Sequence, residues 1–285
     1  MSSTVSPEAR GRGLALAQAY VAACRLELRA LKPGNVHRHA AGHGMTVDDF
    51  ERSAQVSAWP LAAPGRPVGE RMRNAITATH EAVGCNTNLG IVLLAGPLMA
   101  AAETARRGHL RDALAATLAG LTIADAADAY EAIRIAAPAG LGSAAEQDIA
   151  SPPSVDLRQA MALAADRDRI ARQYADGYRD VYEIGVARLR DARRAKLSDE
   201  RAATLAYMNF LAAFPDSHLL RKHGATAAEE VRREAAAFVA WDEYGDTALL
   251  AFDGRLKQKG LNPGTSADLT VASLLALACE DMLSA

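Results

Sequence analysis

Apolar residues recur at intervals of three and four along most of the chain, which is the spacing of one face of an α-helix. The alternation of apolar and polar residues that marks a half-buried strand never persists for more than a few positions. The sequence therefore predicts an all-α protein, a multi-helix bundle of about ten helices. These helices are expected at 7–31, 47–59, 68–83, 88–107, 122–136, 155–194, 199–213, 226–242, 246–258 and 266–283.

Local signals support several of these helices. Ser6-Pro7-Glu8 places a capping residue before a proline at the first helical position, and Thr226-Ala-Ala-Glu229 has the form of a capping box. The long helix expected at 155–194 contains Gly177 and Gly185, and either glycine is a suitable place for a kink.

Composition and charge narrow the class of protein. Half of the residues are apolar but only 5% are aromatic, so closely spaced, alanine-rich helices should form a large core. Residues 1–285 contain no obvious linker and are interpreted as a single domain. Lys and Arg number 32 against 34 Asp and Glu, giving a net charge of −2. Nucleic-acid binding usually requires a basic surface, so we expect no nucleic acid, and a small molecule or another protein as partner. Such helices suit a homodimer without requiring one.

The sequence also indicates where the protein resides. Its longest apolar run, Leu89–Ala102, is shorter than the roughly 20 residues of a membrane-spanning helix and contains a proline. We therefore expect no membrane partner. The N-terminus shows no secretory signal, which favours a cytoplasmic location. Cys24, Cys85 and Cys279 are far apart and lack a CxxC pattern, so reduced thiols are expected rather than disulfides or a zinc site.

The segment Asn262-Pro-Gly-Thr-Ser-Ala-Asp268 has two readings. In the first, Pro-Gly forms a turn and Thr265 caps the last helix. In the second, the helix start binds a phosphate through the amides of Gly264, Thr265 and Ser266, while Asp268 holds Mg²⁺. The same residues satisfy both readings.

A second polar loop begins at Lys32, in the sequence KPGNV. Proline and glycine are expected to end the first helix and turn the chain. Lys32 beside this turn, followed by Asn35 and His37, is also suited to binding an anion. His37, His39 and His43 have no regular face and no acidic or cysteine partner at ligand spacing, so phosphate binding or solvent exposure is favoured over a transition metal.

Two further polar segments precede helices. Asn86 and Asn88 flank Thr87 before the most apolar helix; one asparagine suffices as a cap, so the second favours a substrate contact. The segment 216–224 is either a charged, solvent-facing turn or part of a site. Asp216 and His218 are two positions apart and so point to different faces of a helical turn, which argues against a catalytic dyad. The loose GxGxxA match at 140–145 lacks a preceding strand and is not interpreted as a dinucleotide site.

Taken together, five segments in order resemble the triphosphoribosyl-dephospho-CoA synthase family, over roughly residues 10 to 280. They are KPGNV at 32–36, HGM at 43–45, GCNTNLG at 84–90, DSHLLRKHG at 216–224 and LNPGTSADL at 261–269. The resemblance implies an all-helical enzyme that transfers a triphosphoribosyl group from ATP to the ribose 2′-hydroxyl of 3′-dephospho-CoA and releases adenine.

Two departures from the family pattern leave alternatives. NTNLG stands where named synthases have NTHKG, and HGM is shorter than their HxDM. The sequence looks closer to a branch found in methanogens and methylotrophs, for which phosphoribosyl transfer to a pterin precursor of tetrahydromethanopterin is expected, with phosphoribosyl pyrophosphate as an alternative donor. A non-catalytic helical scaffold is the alternative of another class.

The resemblance assigns roles to the polar residues. Transfer from C1′ builds positive charge on the sugar, so nearby carboxylates are needed, and Asp216 and Asp268 are candidates for this role and for holding Mg²⁺. His218, or alternatively His223, is a candidate base for the acceptor hydroxyl. The candidate substrate-binding and phosphate-binding residues are Lys32, Asn35, His37, Asn86, Asn88, Arg221, Lys222, His223, Asn262, Gly264, Thr265 and Ser266.

Overall fold

The computed structural model describes residues 6–37, 45–138, 146–240 and 245–284. Within these ranges it contains thirteen α-helices, one π-helical segment (Val181–Val186) and no strand, so the all-α prediction is confirmed and the expected count of about ten is too low. The helices are α1 (Pro7–Arg29), α2 (Val47–Ala62), α3 (Val68–Val83), α4 (Leu89–Thr104), α5 (Leu110–Ala119), α6 (Ile123–Ala136), α7 (Leu157–Ala164), α8 (Arg169–Asp176), α9 (Ala187–Arg194), α10 (Asp199–Ala213), α11 (Ser217–Ala240), α12 (Asp246–Gln258) and α13 (Gly264–Ser284).

The difference in count has local causes. The single helix expected at 155–194 is divided into α7, α8, the π-helical segment and α9. Asp168 caps the start of α8, and Gly177 ends that helix in the left-handed conformation, with φ 70°. Helix α5 is absent from the sequence prediction although it buries Leu110, Leu114 and Leu118. It begins after His109, which makes no side-chain capping bond in the described structure, so the sequence carries no start signal there. Helix α11 begins earlier than expected and bends at Gly224.

Helices α4 and α13 lie at the centre of the fold. Both are apolar around most of their circumference, as expected of helices surrounded by others. Helix α13 packs against α1, α4, α10 and the π-helical segment. The last contact depends on Gly185, because a Cβ atom there would lie 1.9 Å from Ser273 Oγ. This packing brings the starts of α4 and α13 together.

The remaining sequence expectations concern the cysteines and the membrane. Cys24 and Cys279 are buried, Cys85 is half-buried, and all three are free thiols, as predicted. Among the helices that the structure describes, none has both the length and the apolar character needed to cross a membrane.

Candidate active site

A cleft of about 780 Å³ opens beside the starts of α4, α8, α11 and α13. It is lined by both polar and apolar side chains, and many of the apolar ones come from α6, α7 and α8. The apolar lining includes Leu93, Ile133, Leu157, Met161 and Ile170. A concave, largely apolar surface with a few converging polar groups is typical of a small-molecule site.

Asp268 is the carboxylate of α13 that faces this cleft. No hydrogen bond or ion pair holds it within the described part of the chain. Burial raises the pKa of Asp268 well above its ordinary value, and the negative charges of Asp216 and Glu27 raise it further, while Arg221 opposes the shift. Asp268 is thus a desolvated acid whose oxygens remain open to a ligand.

Asp216 has a different environment, because it is fully buried and is absent from the cleft lining. Its Oδ1 accepts hydrogen bonds from the backbone amides of His218 (2.9 Å) and Leu219 (3.2 Å). Its Oδ2 accepts from the amide and hydroxyl of Ser266, both at 2.8 Å. Burial raises the pKa of Asp216, although all four bonds favour the carboxylate. The structure therefore gives Asp216 the geometry of a structural cap that joins α11 to α13.

Asp216 also occupies the helix start that was expected to hold a phosphate. The amide of Ser266 is used by Asp216, and the amide of Gly264 donates to the carbonyl of Asn262 at 2.8 Å. Thr265 Oγ1 accepts from the His218 amide at 3.1 Å. Gly264 and Thr265 line the cleft, but these contacts give no support to a phosphate cradle built from the amides of this turn.

The next residue, Ser217, links a third helix to this junction. Its hydroxyl accepts a hydrogen bond of 2.9 Å from the amide of Arg169, the first residue of α8. The pair Asp216 and Ser217 therefore connects the starts of α8, α11 and α13.

Asn86 and Asn88 both line the cleft but have different partners. Asn86 Oδ1 accepts from the amide of Leu89 at 3.2 Å and so caps α4. Asn88 turns its side chain inward, and its Nδ2 donates to Ser57 Oγ (3.3 Å) and Thr79 Oγ1 (3.1 Å). Its buried Oδ1 has no hydrogen-bond partner in the described structure. As expected, one asparagine serves as the cap and the other does not.

Lys32 lies behind the cleft wall and is fully buried. Its ammonium donates to the Glu27 carboxylate, to Asn35 Oδ1 at 2.9 Å and to the Val36 carbonyl at 2.8 Å. Burial raises the pKa of Glu27 and lowers the pKa of Lys32. All three donors of Lys32 are used, so this arrangement does not support anion binding by Lys32. Asn35 lines the cleft and donates to Asn262 Oδ1 at 2.8 Å.

His37 is also buried and is absent from the cleft lining. Its Nε2 lies 3.3 Å from Asp253 Oδ1 and 3.2 Å from Lys257 Nζ. Burial lowers the pKa of His37, and Lys257 adds to that effect. The expected role of His37 in phosphate binding therefore has no support here. His39, His43 and the segment 140–145 lie outside the described residues.

Of the three basic residues of α11 that the sequence suggested as phosphate-binding residues, two lie at the cleft. Arg221 and Lys222 line the cleft, whereas His223 is exposed outside it. Arg221 Nη1 lies 3.6 Å from Asp168 Oδ2. His218 also lines the cleft, and its backbone amide donates a hydrogen bond to Asp216 Oδ1.

The structure adds five charged residues that sequence reasoning did not select. They are Glu27, Glu146, Asp148, Arg167 and Asp168, and all line the cleft. Asp168 has the sequence signature of an ordinary helix cap, and it does accept from the amides of Ile170 and Ala171. Glu27 lies within a long amphipathic helix, where a single carboxylate carries no signal of function. Only the tertiary contacts bring these residues to the cleft.

Comparison with known proteins agrees with the fold and motifs. A family model described as ATP:dephospho-CoA triphosphoribosyl transferase matches residues 14–284. A crystal structure from Archaeoglobus fulgidus, titled as a candidate triphosphoribosyl-dephospho-CoA synthase, is similar with a TM-score of 0.64 and 26% sequence identity. The match covers 79% of this chain and 97% of that one. No curated protein matches the sequence.

These findings bear on the alternatives raised by the sequence. Neither the pterin acceptor nor the non-catalytic scaffold receives support from them. The family model extends over nearly the whole chain and therefore includes every segment that lines the cleft. The chain belongs to the ATP:dephospho-CoA triphosphoribosyl transferase family, a family of transferases.

Proposed function

We propose that this protein transfers a triphosphoribosyl group from ATP to the ribose 2′-hydroxyl of 3′-dephospho-CoA and releases adenine. Family membership supports this donor and acceptor. The observation that carries the proposal is the open, desolvated Asp268 carboxylate, which faces a cleft lined by both polar and apolar side chains.

Asp268 suits the demands of this reaction. The bond from C1′ of the donor ribose to adenine breaks, and a new bond forms from C1′ to the acceptor oxygen. Positive charge develops on the sugar in between, and a carboxylate in a desolvated cleft stabilises it strongly. The acceptor hydroxyl loses one proton and the departing adenine gains one. Of the two histidines suggested as the base, we assign this step to His218, because His223 lies outside the cleft.

The phosphates of the substrates require positive charge. Arg221, Lys222 and Arg167 are the basic side chains that we assign to them, since each lines the cleft. A guanidinium pairs well with phosphate oxygens through parallel hydrogen bonds. The amides of Gly264 and Ser266 are already used by the chain itself, so we assign that role to side chains.

We further propose that Mg²⁺ accompanies the triphosphate. The described residues contain no cluster of three or more acidic, histidine or cysteine side chains suited to a metal. Mg²⁺ is commonly held by one or two carboxylates together with substrate phosphates, and this arrangement fits the open oxygens of Asp268. Asp216 does not fit, because its oxygens accept four hydrogen bonds. When bound, the ion supplies charge that offsets the triphosphate.

The test is to incubate the protein with Mg²⁺, ATP and dephospho-CoA, and to follow free adenine by chromatography and the coupled product by mass. Asp268→Asn is expected to lower the rate by about 10²-fold or more, with an unchanged circular dichroism spectrum. Asp112→Asn is the control, because that side chain is 80% exposed and lies outside the cleft. Full activity of Asp268→Asn would contradict the assigned role. Absence of adenine from the folded wild type would overturn ATP as donor, and phosphoribosyl pyrophosphate would be tested next.

A further inference from the structure

Gly90, the second residue of α4, lies directly against Asp268. A Cβ atom added at position 90 would be 2.1 Å from Asp268 Oδ2 and 2.6 Å from its Cγ. Ordinary contacts between non-bonded heavy atoms are about 3.5–4.0 Å. Any side chain at position 90 would therefore overlap the carboxylate in its present position.

The backbone does not explain a glycine at this position. Gly90 lies within a regular helix and is not among the glycines with positive φ. In a helix, glycine is destabilising relative to alanine, since it loses more conformational freedom on folding. The close approach of Asp268 is the structural feature that accounts for this glycine.

The start of α4 is also fixed, so it cannot easily retreat from Asp268. Ser57 uses its own hydroxyl proton on the Ser53 carbonyl, at 2.6 Å. Ser57 Oγ must therefore accept the hydrogen bond from Asn88 Nδ2, which ties position 88 to α2. Asn86 holds the amide of Leu89 on the other side of the turn. An added methyl group at position 90 is thus expected to move the flexible carboxylate and not the helix.

We propose that Gly90 is a positioning residue, which leaves the space that the Asp268 carboxylate occupies and so sets its location in the cleft. The inference rests on the proposed function of Asp268. It assigns to Gly90 no contact with substrate; its effect is transmitted entirely through the position of Asp268.

The kinetic test is Gly90→Ala. Restoring an ordinary contact requires Asp268 Oδ2 to move by more than about 1 Å, and a displacement of this size in a catalytic group can lower the rate by about 10²-fold. We expect kcat to fall by that factor, with KM for ATP and for dephospho-CoA within threefold of the wild type. Gly254→Ala in α12 is the matched control, since no described atom lies within 4 Å of its added Cβ. A kcat within twofold of wild type would overturn the inference, even if Asp268→Asn were inactive and the proposed function stood.

A second measurement detects the contact without using the reaction. Gly90→Ala is made both in the wild type and in Asp268→Ala, where the shortened side chain leaves Cβ as the nearest atom, at 3.3 Å. In the shortened background we expect Tm to rise by about 1–2 °C, as for Gly254→Ala. In the wild type we expect Tm to fall. Equal shifts in both backgrounds would overturn the inference whatever the fate of the proposed function.

Discussion

The contrast between the two aspartates at the start of α13 leads to a prediction about stability. Replacement of Asp216 by alanine removes the acceptor of four hydrogen bonds, three of them buried, from the amides of His218, Leu219 and Ser266 and from the Ser266 hydroxyl. It also leaves the Leu219 amide and both Ser266 donors without this partner at the junction between α11 and α13, whereas the His218 amide keeps its bond to Thr265 Oγ1. We therefore expect Asp216→Ala to be strongly destabilising.

The expected loss in the free energy of unfolding is the difference between two opposing contributions. Each hydrogen bond contributes about 1–1.5 kcal/mol net, so four of them give roughly 4–6 kcal/mol. Removal of a buried carboxylate also removes its desolvation penalty, whose presence is shown by the raised pKa of Asp216. We expect a net loss of about 3–4 kcal/mol in the free energy of unfolding, which corresponds to a fall of roughly 6–12 °C in Tm.

The assay is thermal and urea unfolding of Asp216→Ala beside Asp268→Ala, two substitutions with the same change in size and charge. Asp268 has no hydrogen bond or ion pair in the described structure, so its replacement should change Tm by less than about 2 °C while abolishing adenine release. A similarly small change in Tm for Asp216→Ala, accompanied by loss of activity, would refute the structural role and return Asp216 to the chemistry.

Two further predictions concern charge. Arg221→Ala should raise KM for ATP by about tenfold, because a charge-assisted bond to phosphate is lost. His223→Ala, on the same helix but outside the cleft, should leave KM unchanged. Equal effects of the two substitutions in steady-state kinetics would contradict the assignment. Burial lowers the pKa of His37 below its ordinary 6.5. Below pH 6.5 the unfolded chain therefore binds a proton at this residue more readily than the folded chain does. The free energy of unfolding should decrease as the pH falls below 6.5. Urea unfolding between pH 5 and 8 should show a smaller decrease for His37→Gln, and an identical decrease would rule out this contribution.

Helical periodicity was sufficient to predict the fold class and many boundaries, such as Val68–Val83 for α3. It did not separate α7 from α8, because an aspartate in a polar stretch suits an exposed position within a helix as well as it suits a cap, and Asp168 proves to be the cap. The sequence marked Gly185 as a place for a kink but did not predict the π-helical segment, whose close packing on α13 requires a glycine at that position. The single domain over 1–285 and the homodimer remain predictions.

The candidate site was predictable at the level of segments but not of roles. The polar segments around Asn88, Arg221 and Asp268 do meet at one cleft. Asp216 and Asp268 occupy similar positions in sequence, each near a helix start. Only the tertiary contacts show that one carboxylate is enclosed by amides and the other is open. For Lys32 the contacts are local, because its bonds to Glu27, Asn35 and Val36 form where the chain turns after α1.

The junction at Asp216 and Ser217 has a consequence for how the protein opens. Because these two residues, at the start of α11, bind amides at the starts of α8 and α13, neither of those helix starts can separate from α11 without breaking a hydrogen bond. Local fluctuations should therefore expose this region as one cooperative unit. In hydrogen exchange, the amides of Arg169, His218 and Ser266 would acquire deuterium at a common rate.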